Sequence, residues 1–220
     1  MPNRNAYLAV GFDDDARGAL AELQESLVAS VAAMADGGVS FEQMALRDLH
    51  MTFFFAGEGL RGLSGEQVQR WHRSAVDAIG RQYVGATGIR ELRMTPSGLD
   101  LFPPEKRNLI VARFDVSESL RALQADVTSA STGLGLACSG SVRQQLAGSE
   151  HEWAPHVTLG KIRAPKGTVA NIGREAIRVA WGTAATRLHR GIVAEGLELR
   201  GEQPKQGGYL DWNTPLRFSF

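Results

Sequence analysis

One cysteine, Cys138, in 220 residues excludes an intrachain disulfide and any zinc site built on clustered thiols, and it fits a reducing compartment. Long apolar runs are missing as well. No stretch approaches the roughly 18 residues of a membrane-spanning helix, and the opening Met1-Pro-Asn-Arg-Asn-Ala-Tyr-Leu-Ala-Val has no apolar run of secretory-leader length. The expectation is an intracellular protein, cytoplasmic or nuclear, with no membrane association. Nor is there an excess of one charge: 24 Lys and Arg stand against 24 Asp and Glu, which argues against a general nucleic-acid coat or a polybasic membrane binder. Any nucleic acid it touches is then a small substrate held locally.

The rest of the composition is that of an ordinary globular chain. Hydrophobic residues make up 43% and charged residues 22%, with 25 Gly and 8 Pro for turns and no low-complexity tract. The length allows one domain or two small joined lobes and excludes a long array of modules.

Tyr7–Phe12 (YLAVGF) has the pattern of a short buried strand, and Asp13-Asp14-Asp15 supplies a cap and first-turn acids for a helix to about Met34. Leu49–Ala56 (LHMTFFFA) is β-rich, Ser64 opens a helix to about Ile79, and a strand follows near Ile89–Thr95. The order then repeats. Leu109–Phe114 (LIVARF) predicts a strand, Asp115 and Ser117 open a helix to about Ser129, and His156–Ile162 (HVTLGKI) predicts a second strand. A helix over about Val169–Val179, a strand over Ile192–Leu199 and a closing alternating strand through Leu210, Trp212, Leu216, Phe218 and Phe220 complete the series.

Landmarks recur at nearly constant spacing: 102 residues from Tyr7 to Leu109, 106 from His50 to His156 and 103 from Ser64 to Gly167. This predicts one α+β domain over residues 1–220, built from duplicated units of about 1–101 and 108–220 and related by an approximate two-fold axis. The boundary falls at Leu101–Arg107 (LFPPEKR), where Pro103-Pro104 interrupts both strand and helix. Because the duplicated pair is self-contained, a monomer is expected.

Equivalent positions carry the same reactive groups. Leu49-His50-Met51-Thr52-Phe53 and Pro155-His156-Val157-Thr158-Leu159 both read His-x-Thr followed by an apolar residue. In a strand, residues i and i+2 share a face, so each motif presents an imidazole beside a hydroxyl. Two imidazoles across a cleft suit phosphodiester chemistry: one neutral ring accepts a proton from the nucleophile while one imidazolium protonates the leaving oxygen. Two threonine hydroxyls can donate to the non-bridging oxygens, a stabilisation of ~3–4 kcal/mol for one well-aimed donor. This chemistry requires no metal or other cofactor.

On these paired motifs the chain resembles the 2H phosphoesterase superfamily, and within it the bacterial and archaeal RNA 2′,3′-cyclic phosphodiesterases, historically called 2′-5′ RNA ligases. The resemblance extends to YLAVGF at the start, Phe55-Ala56-Gly57-Glu58 after the first motif and Gly208-Tyr209-Leu210 near the end. It implies a bilobal fold with two antiparallel sheets lining a central cleft and helices outside. It also implies hydrolysis of RNA or nucleoside 2′,3′-cyclic phosphates to 2′-phosphates, with His50 protonating the leaving 3′ oxygen, His156 activating water, and Thr52 and Thr158 holding the phosphate. Exchanged histidine roles are equally compatible with the sequence.

The second motif departs from the bacterial pattern. Ala154 and Lys161 stand where arginines are usual, so a bidentate guanidinium is missing from its customary place. That opens two other readings: cleavage of 2′,5′-linked oligoadenylates or another small phosphodiester, and a nucleotide-binding module with little catalysis, as in the A-kinase-anchoring relatives. RNA ends or a small nucleotide are the expected partners.

Other residues weigh less. Phe54 shares the face of His50 and Thr52 by alternation and is a candidate for stacking on a base, although core packing is the stronger reading. Lys161 is a candidate phosphate contact, but alternation puts it on the face opposite His156, where solvation is as good an account. His72 and His189 read as structural or exposed, and His151 has neither the spacing nor the third ligand of a zinc site. The expected metal set is none.

Overall fold

The computed structural model describes residues 6–34, 38–57, 66, 70, 73–74, 77, 93–133, 153–165, 167–188, 191–200 and 217–219. In chain order the elements are β1 (Ala6–Phe12), α1 (Asp14–Ala33), β2 (Ser40–Gln43), a 3-10 turn (Leu46–Asp48), β3 (Met51–Gly57), β4 (Arg93–Phe102), β5 (Leu109–Val116), α2 (Glu118–Gly133), β6 (His156–Arg163), α3 (Val169–Leu188), β7 (Ile192–Arg200) and β8 (Arg217–Ser219). Residues 66, 70, 73, 74 and 77 are helical; the remainder of the helix predicted from Ser64, and most of the predicted closing strand, lie outside the described residues.

The α1 start follows its sequence signals. The Asp13 carboxylate accepts from the Ala16 N–H at 2.7 Å, and Asp14 and Asp15 sit in the first turn, where the helix dipole favours acids. Its stripe of Ala16, Leu20, Leu23, Leu27 and Val31 is buried against the sheet and α3. α3 contributes small residues to that layer. A Cβ at Gly173 would meet Leu101 Cδ2 at 2.6 Å and Ile162 Cδ1 at 2.9 Å, so glycine permits the close approach of helix to sheet. α3 runs past the predicted end near Val179 because Ala184 and Ala185 carry it through Gly182, where glycine costs only ~1 kcal/mol relative to alanine.

Two strands differ from expectation. β2 has four residues and one buried position, Phe41, too little for a periodic signal. β4 runs to Phe102 although Pro96 and Gly98 lie within it: the register slips between these two residues, a bulge that absorbs them, and β7 pairs with β4 only at Arg93 and Met94, leaving Pro96 nothing to donate to on that side.

The architecture is α+β. The predicted pair of separate sheets is corrected: among the described residues all eight strands belong to one hydrogen-bonded sheet in the order β1-β3-β6-β5-β4-β7-β8, with β2 on β6 and β7 also on β1. Pairing is nevertheless uneven. The ladders β3-β1-β7 and β6-β5-β4 are extensive, whereas β3 meets β6 at Met51↔Val157 alone and β4 meets β7 at two pairs. These seams join the two ladders only at their ends. Each ladder also takes its last strand from the other half of the chain, β7 beside β1 and β4 beside β5.

Candidate active site

The β3–β6 seam sets the site. Met51 and Val157 are antiparallel partners and fully buried. Continuing that register by one residue each way puts His50 across from Thr158 and Thr52 across from His156. Direct neighbours of this kind lie about 4.5–5.5 Å apart and diagonal ones about 7–8 Å. The two histidines therefore occupy one diagonal of a four-residue patch and the two threonines the other. All four are partly exposed, on the face opposite the buried Met51 and Val157.

Each imidazole is oriented in the same way. Nδ1 of His50 lies 2.6 Å from the Asp48 carbonyl, and Nδ1 of His156 lies 2.9 Å from the Ala154 carbonyl. A carbonyl only accepts, so Nδ1 carries the proton and donates, and Nε2 is the ring's acceptor nitrogen. Each ring also has an aromatic neighbour: His50 stacks on Tyr7 with centroids 4.9 Å apart, and His156 is tilted against Phe102 at 5.0 Å.

Burial lowers the His156 pKa below its ordinary 6.5. The hydrogen bond to the Ala154 carbonyl opposes this, and the nearby positive charge of Arg113 reinforces it. Arg113 stands directly across β5 from His156, with Nη2 at 3.3 Å from Asp100 Oδ2. A third group ties the motifs together: Trp153 Nε1 donates to the Thr52 carbonyl at 3.0 Å, and its ring meets Phe53 edge-on at 5.3 Å. The segment entering the second motif is thus pinned to the strand of the first.

Both motif strands bulge immediately after the threonine. On β3, Leu8 faces Phe54 and Ala9 faces Thr52, leaving Phe53 as the extra residue; on β6, Ile110 faces Gly160 and Val111 faces Thr158, leaving Leu159 extra. The slip reverses the alternation downstream. Phe54 pairs with the buried Leu8 and is itself 3% exposed in the core, so it does not share the face of His50 and Thr52 as expected. Lys161 moves the other way. It pairs with Leu109, in line with Val111 and Arg113 on β5, and so joins His156 and Thr158 on the half-exposed face. Glu42 lies across from Lys161, and its carboxylate is engaged by Arg163 at 2.7 Å.

No protein-family model matches the chain, and no curated protein does. Solved structures do. Usb1 of Kluyveromyces marxianus is 13% identical with a TM-score of 0.53, covering 100% of this chain and 99% of that one. The same protein with uridine monophosphate gives 13% identity and a TM-score of 0.56, covering 99% of each chain. The chain shares the fold of these Usb1 structures. Escherichia coli LigT complexed with NADP+ also matches, at 12% identity and a TM-score of 0.46, covering 100% of this chain and 96% of that one.

Within this fold, several residues of the site were not legible as such. Tyr7 and Phe102 looked like strand residues and a domain boundary, and Arg113 like one charge in LIVARF. A further signal was present but unread. Leu20-x-x-Leu23-Gln24-x-x-Leu27 in α1 recurs 100 residues later as Leu120-x-x-Leu123-Gln124-x-x-Val127 in α2, and both glutamines reach the motif strands. Among the described residues, no three His, Cys, Asp or Glu side chains group as a metal site. No described helix is long and apolar enough to cross a membrane. His72, His151, His189, Tyr209 and Trp212 lie outside the described residues.

Proposed function

We propose that this protein is a phosphodiesterase that opens RNA or nucleoside 2′,3′-cyclic phosphates to 2′-phosphates by two-histidine acid–base catalysis without a metal. The observation that carries the reading is the antiparallel register at Met51↔Val157, which sets two imidazoles and two hydroxyls on one face, with both Nδ1 atoms occupied by backbone carbonyls. A phosphate above that patch has a proton-exchanging Nε2 on either side and a hydroxyl donor at each remaining corner.

In the proposed step, water attacks phosphorus as His156 Nε2 takes its proton. The P–O3′ bond breaks and the imidazolium of His50 gives its Nε2 proton to O3′, leaving a 2′-phosphate and a free 3′-hydroxyl. The lowered His156 pKa keeps that ring neutral at physiological pH, as a base must be, and this favours His156 as the base over the exchanged assignment. Thr52 and Thr158 donate to the non-bridging oxygens, and Lys161, returned to this face by the bulge, supplies a cation for the phosphate. Uridine monophosphate in the similar Usb1 structure supports a nucleotide as guest. We place the protein in a reducing compartment, cytoplasmic or nuclear, as a monomer, since one chain supplies both motifs.

The test is incubation of purified protein with a nucleoside 2′,3′-cyclic phosphate in EDTA, followed by mass determination and phosphorus NMR of the product. Conversion to the 2′-phosphate is expected, with a loss of about 10²–10⁴-fold in His50→Ala or His156→Ala. Full activity in either variant, or loss of activity on chelation, overturns the reading. Turnover confined to 2′,5′-linked oligoadenylates would replace the substrate and keep the chemistry.

A further inference from the structure

We infer that Gln24 and Gln124 are reciprocal positioning residues, each holding the β-bulge behind the catalytic threonine contributed by the other half of the chain. The inference rests on the proposed phosphodiesterase reading for its kinetic consequence and on hydrogen bonds for its geometry. Gln24, in α1, is 1% exposed beside the buried Leu20, Leu23 and Leu27, a place where an amide is retained only if its polar atoms are satisfied. Its Nε2 donates at 2.7 Å to the carbonyl of Leu159, the extra residue of the β6 bulge, and at 2.8 Å to the Met44 carbonyl. Gln124, in α2, donates through Nε2 at 3.4 Å to the carbonyl of Phe53, the extra residue of the β3 bulge. Thus α1 clamps the second motif and α2 clamps the first.

A bulge residue loses its regular ladder partners, so its carbonyl must be satisfied from elsewhere. At Leu159 the Met44 N–H also donates, at 2.9 Å, and β2 approaches so closely that a Cβ on Gly160 would lie 2.5 Å from the Glu42 carbonyl oxygen. The bulge turns Thr158 and Lys161 to one face although they are three residues apart. Without the amide, the competing arrangement is the regular strand, which sends Lys161 to the buried side and relaxes the aim of Thr158. Neither glutamine touches the imidazoles, and both act through the strand.

The experiment compares Gln24→Met, which keeps the side-chain length and removes both donors, with Thr158→Val and the double variant. The expected result is a kcat lowered by roughly tenfold to a hundredfold, a KM raised because Lys161 leaves the site, and a double variant with a kcat no lower than that of the slower single one, because in both the Thr158 hydroxyl no longer meets the phosphate. The longer bond of Gln124 predicts a smaller loss in Gln124→Met. In Gln24→Glu, the rate relative to the unmodified protein should rise as pH falls, since a protonated carboxyl donates again. An unchanged kcat in Gln24→Met, or independent multiplying losses in the double variant, overturns the proposal. If Gln24→Met does not fold, a flat relative pH profile in Gln24→Glu with full activity in Gln124→Met overturns it instead. The register is read without activity from the backbone NMR contacts between Lys161 and Leu109. Their persistence in Gln24→Met removes the clamp even if the protein turns out to open no phosphodiester, and an inactive unmodified protein removes only the functional reading.

Discussion

His156 sits between opposing influences: burial and the Arg113 charge disfavour its imidazolium, while the Ala154 carbonyl favours it. Its native pKa is therefore below the ordinary 6.5, and two consequences follow with definite sign. In its proposed role as the base, it must be neutral, so kcat/KM should fall on the acid side with an apparent pKa below 6.5, and the alkaline limb should report the protonated partner, giving a bell. For stability, the unfolded chain binds the proton more readily between the two pKa values. The contribution of this group is therefore full above the unfolded value and declines as pH falls through the native one. Arg113→Gln removes one of the lowering influences and should move the acid limb upward, toward 6.5, in a kcat/KM profile. A limb that stays in place, or moves down, would remove Arg113 from the electrostatics of the site. Arg113 is paired with Asp100 and 40% exposed, so solvent screens it and the shift should be smaller at high salt. That each motif sets its histidine and threonine on one face was legible because residues i and i+2 of a strand point the same way. Arg113 was not, since the contact joins two strands whose register no local pattern encodes.

At the level of the strand, alternation is a reliable guide only while the ladder is regular. Reading β3 and β6 with period two puts Phe54 with His50 and Lys161 away from His156, and one bulge in each strand exchanges those assignments. The trace of the bulge is a pair of consecutive buried residues, Phe53-Phe54 and Leu159-Gly160, which an apolar run such as MTFFFA conceals. The exchange separates two variants. Phe54→Ala should lower stability by about 3–5 kcal/mol, seen as a shifted denaturation midpoint, while leaving KM of the folded enzyme unchanged. Lys161→Met should leave the midpoint nearly in place and raise KM for cyclic phosphates. A raised KM with normal stability in Phe54→Ala would return that ring to the site. The helix starts were easier to read, because Asp13 and Ser117 act within one turn, whereas β2 became a strand only through its pairing with β6.

For the whole molecule, the sequence predicts a repeated order of elements, but not where the halves of the chain join. Repeats in sequence imply compact units in space, yet β1 finds β7 from the far end of the chain and β5 finds β4 from the first half. The hairpin from β4 to β5, at the predicted boundary between repeats, is consequently a continuous part of one ladder. Cutting the chain there, at the exposed Glu105-Lys106, would leave residues 1–105 with β4 lacking its β5 partner and β1 lacking β7, and residues 106–220 with the converse losses. Each piece would expose two apolar strand edges and half of the buried α1–α3 layer, more than a domain held together by only ~5–15 kcal/mol tolerates. We expect neither fragment alone to show a cooperative thermal transition by circular dichroism. Co-refolded, the two should recover both the transition and turnover of a cyclic phosphate, because the exchanged strands supply the recognition between them. A fragment of residues 1–105 that melts cooperatively by itself would show that the first repeat folds without β7, and the strand exchange would then be a late docking of finished halves rather than the interaction that builds them.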